Sequence, residues 1–479
     1  MSTPVNGFSS QFLANFRFIV STDIENKDPD TRKVIRSHVM RGKNRIKPRR
    51  KGRHLPPQDI PKTNPLIPPD LSCSSKVPRP PCSDLAAIPF ADVVEPALVA
   101  DVLLFSSMSS KAMFLLDPYI VPQKADIARE WFTAMLSDVA YLHAICFTVQ
   151  SYFDGFFGRT RSTAAERRDR LYYAKSIRVL QERLSLDDDS LRLSDSTIMT
   201  VMALSGHAYT TGDYKSAHNH SSGLLRLVSM RGIGTFLQNT ILSIEIIRCD
   251  LAMAVDTNSK PVLCDSDGIM AMVSRFTKTP GQNVPYRHLR PEVIRFLSKL
   301  DSQLAAAWIN MSRFCAQVNA AAEEDGPKVT EEMLLQNMTS IMYPLLHQRF
   351  QKGSLDEAVR FGLLAFSSPI FLHWNRVELP DRRFTSAYLE ELAVVTLSGA
   401  DIAPQERLWL FVVGALSMSH EPESMSWLLP GLRMDIEQCG VKTWSDMQDV
   451  LKSFLWVGLV YDVPSEDVFA SMYPSGLAL

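Results

Sequence analysis

Few residues in this chain have the types and spacing that chemistry requires. His218 and His220 form an HxH pair. On a strand both rings would share a face and chelate a metal; on a helix they point about 200° apart. The surrounding periodicity is helical, which favours packing or exposure over a metal site. Asp187, Asp188 and Asp189 have the character of a magnesium ligand set. They lie between two predicted helices, so a polar turn leading into the next helix is the simpler expectation. Gly232-Ile233-Gly234 begins like a dinucleotide fingerprint, but it lacks the third glycine and the preceding strand and reads as a helix stop. The chain contains no GxSxG elbow, no P-loop spacing and no kinase motif set.

The seven cysteines (Cys73, Cys82, Cys146, Cys249, Cys264, Cys315 and Cys439) are scattered, odd in number and free of CxxC spacing. Neither a disulfide framework nor a zinc cluster is indicated, and a reducing compartment fits best. The tryptophans Trp131, Trp308, Trp374, Trp409, Trp427, Trp444 and Trp456 fall mostly on predicted helices, where core packing is the default and an effector pocket the alternative. No enzyme, metal or cofactor is therefore expected. The competing possibility is chemistry assembled on a helical fold from residues far apart in the chain.

The strongest signal is charge. Between Arg32 and Arg53 stand eleven basic residues (Arg32, Lys33, Arg36, Arg41, Lys43, Arg45, Lys47, Arg49, Arg50, Lys51 and Arg53) and no acid. The net charge of the whole chain is −1, so the remainder carries −12. Such segregation describes an arm for a polyanion or an import receptor, attached to a body that is not basic. Basic side chains neutralise phosphates with little sequence selectivity, and Lys43 to Arg53 is also the kind of cluster that nuclear import receptors read. Within the arm, His38 is expected to pack or cap rather than ligate.

The elements that must position these residues follow from composition and period. Residues 1–54 are expected to be a largely disordered basic arm. Residues 55–90, with ten prolines, are expected to be an extended linker. Residues 91–479 read as an all-α domain of antiparallel helices. The clearest helix runs from Asp213 to Met230, with Tyr214, Ala217, Ser221, Leu224, Leu225 and Val228 on one stripe, Asp213 as N-cap, and Gly232 and Gly234 at its end. Before it a helix is predicted from Ser194 to Tyr209, burying Ile198, Val201, Met202 and Leu204. After it a third carries Leu237, Ile241, Ile244, Leu251 and Val255 and stops before Pro261. Further helices are predicted over 126–154, 165–185, 291–321, 330–351, 355–374, 384–398, 404–418 and 443–461. No membrane-spanning stretch is expected, nor a secretory leader, since the N-terminal segment lacks a charged leader, apolar core and cleavage site in sequence.

The run SDSTIMTVMALSGHAYTTGDYKSAHNHSSGLLRLVSMRGIG (Ser194 to Gly234), followed by IIRCDLAMAVDTNSKPVL, resembles the regulatory domain of fungal-specific transcription factors. The matching residues are Gly212, Asp213, Ala217, His220, Gly223, Leu224, Val228, Arg231 and Gly232, while Ile233 replaces a typical second glycine. Arg129 to Thr148, Ser354 to Trp374 and Leu451 to Asp462 are similar to other blocks of that domain, so the resemblance spans Ala91 to Asp462. The order Phe, Lys-Asp, Arg and Ile35 to Met40 before the basic tail resembles the start of many fungal proteins with this domain, which often lack a zinc binuclear cluster. Here Cys73 and Cys82 are the only cysteines before Cys146, whereas the cluster needs six.

The resemblance implies a transcriptional regulator in the nucleus, pathway-specific for metabolic or secondary-metabolite genes. The partners it implies are DNA, an import receptor, and a second copy of the chain or co-regulators, with no membrane partner. A nuclear cofactor or scaffold that never touches DNA is the alternative, because the zinc module is missing.

Overall fold

Polar side chains set where many of the helices begin. The hydroxyls of Ser162, Ser194, Thr330, Ser354 and Thr443, and the carboxylates of Asp213 and Asp301, each accept a backbone N–H from the first turn that follows. Each satisfies a donor that the helix itself leaves open. Pro291 and Pro404 occupy first positions, where the missing N–H is harmless.

The computed structural model describes residues 88–472 apart from 113–114, 122–126, 158–161, 237–239, 265–268, 272, 275–288, 373–381, 399–400 and 418–421. All of these fall in the unit Ser83–Leu479. The basic arm and residues 55–87 of the proline-rich segment lie outside the described residues, as do Leu237 and Trp374, while Ile88 and Phe90, expected in the linker, pack against the core.

The described chain is all-α. In order, the helices are α1 (Pro96–Ala112), α2 (Ile127–Ser137), α3 (Val139–Phe157), α4 (Thr163–Ser185), α5 (Asp189–Arg192), α6 (Asp195–Thr210), α7 (Tyr214–Arg231), α8 (Ile233–Phe236), α9 (Thr240–Asp256), α10 (Pro291–Leu297), α11 (Ser302–Ala322), α12 (Glu331–His347), α13 (Leu355–Phe371), α14 (Arg382–Leu397), α15 (Pro404–Leu416), α16 (Pro422–Gln438), α17 (Trp444–Ser453) and α18 (Gly458–Met472). One short parallel bridge, unforeseen in the sequence, pairs β1 (Ile120–Val121) with β2 (Val329–Thr330).

The α6–α7 hairpin forms as expected. Asp213 Oδ1 accepts Ser216 N–H at 3.1 Å, and α7 stops at Gly232, whose φ of 85° suits a residue without Cβ. Ser205 and Ser221 share a 2.7 Å hydrogen bond across the pair, and Arg231 at the end of α7 meets Asp195 at the start of α6, so the two run antiparallel. Of the predicted stripe, Ala217, Ser221, Leu224, Leu225 and Val228 are buried, but Tyr214 is exposed and Met202 on α6 is only partly covered. Ser216 and Leu227 complete the buried face.

Three predicted single helices are each two. Asp138 interrupts 126–154: its Oδ1 caps Tyr141 N–H at 2.9 Å, and the chain bends by 120° there. The other carboxylate oxygen pairs with Arg183 at 2.9 Å, and Arg183 also donates to Thr197 at 2.9 Å, joining α3, α4 and α6. Asp301 starts α11 by capping Gln303 and Leu304, which splits 291–321. The third break separates α17 from α18 and divides 443–461.

Four of these helices were not foreseen: α1, α16 and the single turns α5 and α8. The Pro430-Gly431 pair in α16 has the composition of a turn. The helix passes through it because α15 needs the space: a Cβ on Gly431 would come within 2.8 Å of Phe411 Cε2. The C-terminal half closes around an aromatic centre in which Trp308 and Trp409 are 4.7 Å apart. Trp409 donates to Leu455 O at 2.9 Å, satisfying its one polar atom inside the core. Among the described residues no single helix is long and apolar enough to cross a membrane.

Candidate functional site

The eleven basic residues of the arm, from Arg32 to Arg53, and His38 with them, lie outside the described residues. The remaining sequence candidates resolve into local structure. His218 is exposed on α7 while His220 is partly buried, the divergence a helix imposes. Burial holds the His220 imidazole below its usual pKa, with Asp213 opposing. Asp188 caps α5, accepting Ser190 N–H at 2.9 Å, so the acidic triplet forms the polar turn expected of it. Ile233 follows the Gly232 stop and is buried as the first residue of α8. Of the tryptophans, Trp308, Trp409 and Trp456 are buried in the core. Cys146, Cys249, Cys264, Cys315 and Cys439 are free thiols. Among the described residues no group of three or more His, Cys, Asp or Glu could hold a metal ion.

Sequence reasoning missed two polar clusters. The first lies where the segment 88–95 crosses α3 and α4. His143, only 2% exposed, has its Nε2 2.9 Å from Asp92 Oδ2. Lys175 Nζ reaches the same oxygen at 3.4 Å. One turn further along the segment, Glu95 pairs with Arg168 at 3.1 Å, and its N–H donates to Tyr172 Oη at 3.3 Å. Arg168 is steadied by Gln150 at 3.0 Å.

Burial and neighbouring charges shift both groups here. The Val93 N–H bond holds the Asp92 carboxyl below its usual pKa against a partial desolvation, with help from His143 and Lys175. Desolvation holds His143 below its usual value, only partly offset by Asp92. His143 Nε2 and Asp92 Oδ2 thus stand at hydrogen-bond distance, with burial and the neighbouring charges acting on both groups. His143 Nδ1 is buried with no hydrogen-bond partner. Cys146, one turn along α3, is pushed up to about 12 by burial, so it is a packed thiol and not a nucleophile.

The second cluster surrounds Asp250 on α9, which is fully buried. Its carboxylate accepts Val262 N–H at 2.7 Å, Leu263 N–H at 3.0 Å and Tyr343 O–H at 2.9 Å. Desolvation outweighs these donors and raises its pKa to about 6. Next to it, Cys264 Sγ lies 3.7 Å from His347 Nδ1. Tyr343 and His347 are four apart on α12 and so share a face. A carboxyl titrating near 6 beside a thiol and an imidazole has the ingredients of acid–base chemistry. Yet all three hydrogen bonds of Asp250 go to the chain itself, and they clamp the loop after α9 against α12. The cluster holds a loop in place.

A sequence signal for the first cluster did exist: Arg168 and Lys175 stand seven apart, on one face of a helix with six basic and three acidic residues. Nothing comparable marked Asp250. No protein-family model, curated protein or solved structure matches the chain.

Proposed function

We propose that the protein is a nuclear regulator of transcription, of the kind that the fungal regulatory-domain resemblance implies, in which the basic arm directs the helical body to the nucleus and to DNA. The observation that carries this reading is the segregation of charge: +11 within Arg32–Arg53 and −12 over the rest. An arm of that density releases counterions from a polyanion, while an acidic body discourages binding anywhere else. The helical architecture is compatible with the resemblance in Ser194 to Gly234. In this reading the body serves as a sensing or oligomerising module for a metabolic or secondary-metabolite pathway, and not as an enzyme.

A second reading is a nuclear cofactor that never touches DNA, and one observation favours it: the segment before Cys146 holds only Cys73 and Cys82, too few for a zinc cluster. Chromatin occupancy of the tagged full chain, with and without residues 1–54, tests the proposal. Occupancy that disappears on deletion supports arm-directed recruitment; full occupancy after deletion overturns it. A salt titration of DNA binding by the full chain then separates direct contact, which weakens steeply with salt, from recruitment by another protein.

A further inference from the structure

The segment Ile88–Glu95 carries two acids and no base, and every charged contact it makes is with a cationic or imidazole donor of the helices beneath. Asp92 meets His143 and Lys175, and Glu95 meets Arg168. Two more bonds hold its backbone, Ala91 N–H to Met135 O at 3.2 Å and Glu95 N–H to Tyr172 Oη. Apolar side chains seat it: Phe90 lies against Phe132 with ring centroids 6.1 Å apart, Val94 is in the core, and Ile88 and Ala91 pack against it. Val93, between them, is 85% exposed.

Viewed from the helices, this is a preformed acceptor for an acidic peptide. The donors sit on α3 and α4, which are fixed independently by Arg183–Asp138 and by Ser176 Oγ donating to Ala140 O at 3.0 Å. Remove the segment and His143 Nε2 and Lys175 lose the hydrogen-bond acceptor that the structure gives them, while Arg168 keeps only Gln150. With the segment in place, each of these donors has its acceptor.

We infer that the groove between α3 and α4 is a docking site for an acidic peptide of the form aromatic-x-Asp-x-aliphatic-Glu, held closed by the chain's own Phe90-Ala91-Asp92-Val93-Val94-Glu95. Charge complementarity selects the occupant: α4 bears a net charge of +3 and the segment −2. Tethering gives the internal segment an effective concentration in the millimolar range, so an outside partner enters only when it binds better or when the internal acids are weakened. The inference does not depend on what the arm binds.

The test uses the full chain and the synthetic peptide IPFADVVE. In the Asp92→Asn/Glu95→Gln variant the labelled peptide is expected to bind at least about tenfold tighter than to the native chain, because the competitor has lost both charges. Adding Lys175→Gln is expected to reduce the gain, since one of the three donors is lost, and the neutral peptide IPFANVVQ is expected to show none. Equal binding to variant and native chain, or a gain that the neutral peptide shares, overturns the proposal. Should the variant fail to fold, hydrogen exchange on the native chain decides. The amides of Ala91 and Glu95 should exchange faster than those in the middle of α3, and faster again at high salt; exchange as slow as α3 in both conditions refutes an exchangeable segment.

Discussion

Helices α13 and α4 place charged side chains in opposite settings. Every residue of α13 from Glu357 to Phe371 is buried except Pro369, and that run includes an ion pair. Arg360, fully buried, donates to Glu357 through both Nε and Nη2, at 2.8 and 2.6 Å, and to Leu345 O at 3.2 Å; Glu357 also accepts Phe350 N–H at 3.0 Å. Helix α4 buries only Asp169, Tyr172, Ser176 and Leu180, and its cations Arg168 and Lys175 reach partners that are half exposed. The first pair is dry and fully bonded, so its members cannot be separated cheaply. The second set is within reach of water. Burial, more than the number of ion pairs, decides which one is structural.

The largest expected effect comes from breaking the dry pair. Arg360→Met keeps much of the side-chain volume but leaves Glu357 buried without its cation, and should cost about 3–5 kcal/mol in denaturant unfolding. Replacing both members, as Glu357→Leu with Arg360→Met, should recover part of that loss, because two apolar chains need no compensation. A double variant as unstable as the single one would show that the pair's value lies in its backbone contacts to Leu345 and Phe350.

Asp250 sharpens the comparison as a buried acid bonded only by N–H and O–H groups. Its folded pKa of about 6 exceeds the unfolded carboxyl value of about 3.9. The folded state therefore holds the proton more tightly. The stability that this group contributes is complete below about pH 4 and is lost as pH rises through about 6. Asp250→Asn should flatten the melting temperature across that window, with an effect on the order of 1–3 kcal/mol. An unchanged pH profile would mean that donors from Val262, Leu263 and Tyr343 keep the carboxyl ionised throughout.

The legible parts of this molecule are those whose determinants are close in sequence. The α6–α7 hairpin could be read because Ser194, Asp213 and Gly232 are local signals, and the stripe from Ala217 to Val228 lies on one helix. The breaks at Asp138 and Asp301 were missed although both are ordinary caps, since apolar residues continue on either side and hide the interruption. Helix α16 was missed because Pro430-Gly431 has turn chemistry, and only the Phe411 ring across the interface explains the glycine. The cations of the polar groove left a trace in the sequence, but their pairing with the acids was hidden for a different reason. Asp92 lies 51 residues from His143 and 83 from Lys175, a separation that no pattern of spacing encodes. The acid of Asp250 met the same obstacle, since Tyr343 is 93 residues away.

The smallest expected effect belongs to α4, and its smallness is the point. Lys175→Gln removes a cation that is 35% exposed and that faces Asp92, itself 37% exposed. The loss should stay below about 1 kcal/mol and shrink further in high salt. His143 remains to hold Asp92 at 2.9 Å, so the segment keeps one bond when the other is cut. A loss comparable to that of Arg360→Met would place Lys175 in the structural class and make the α4 groove part of the core. A small, salt-sensitive loss leaves α4 as the face on which charge is available for exchange, while α13 keeps its charge locked inside.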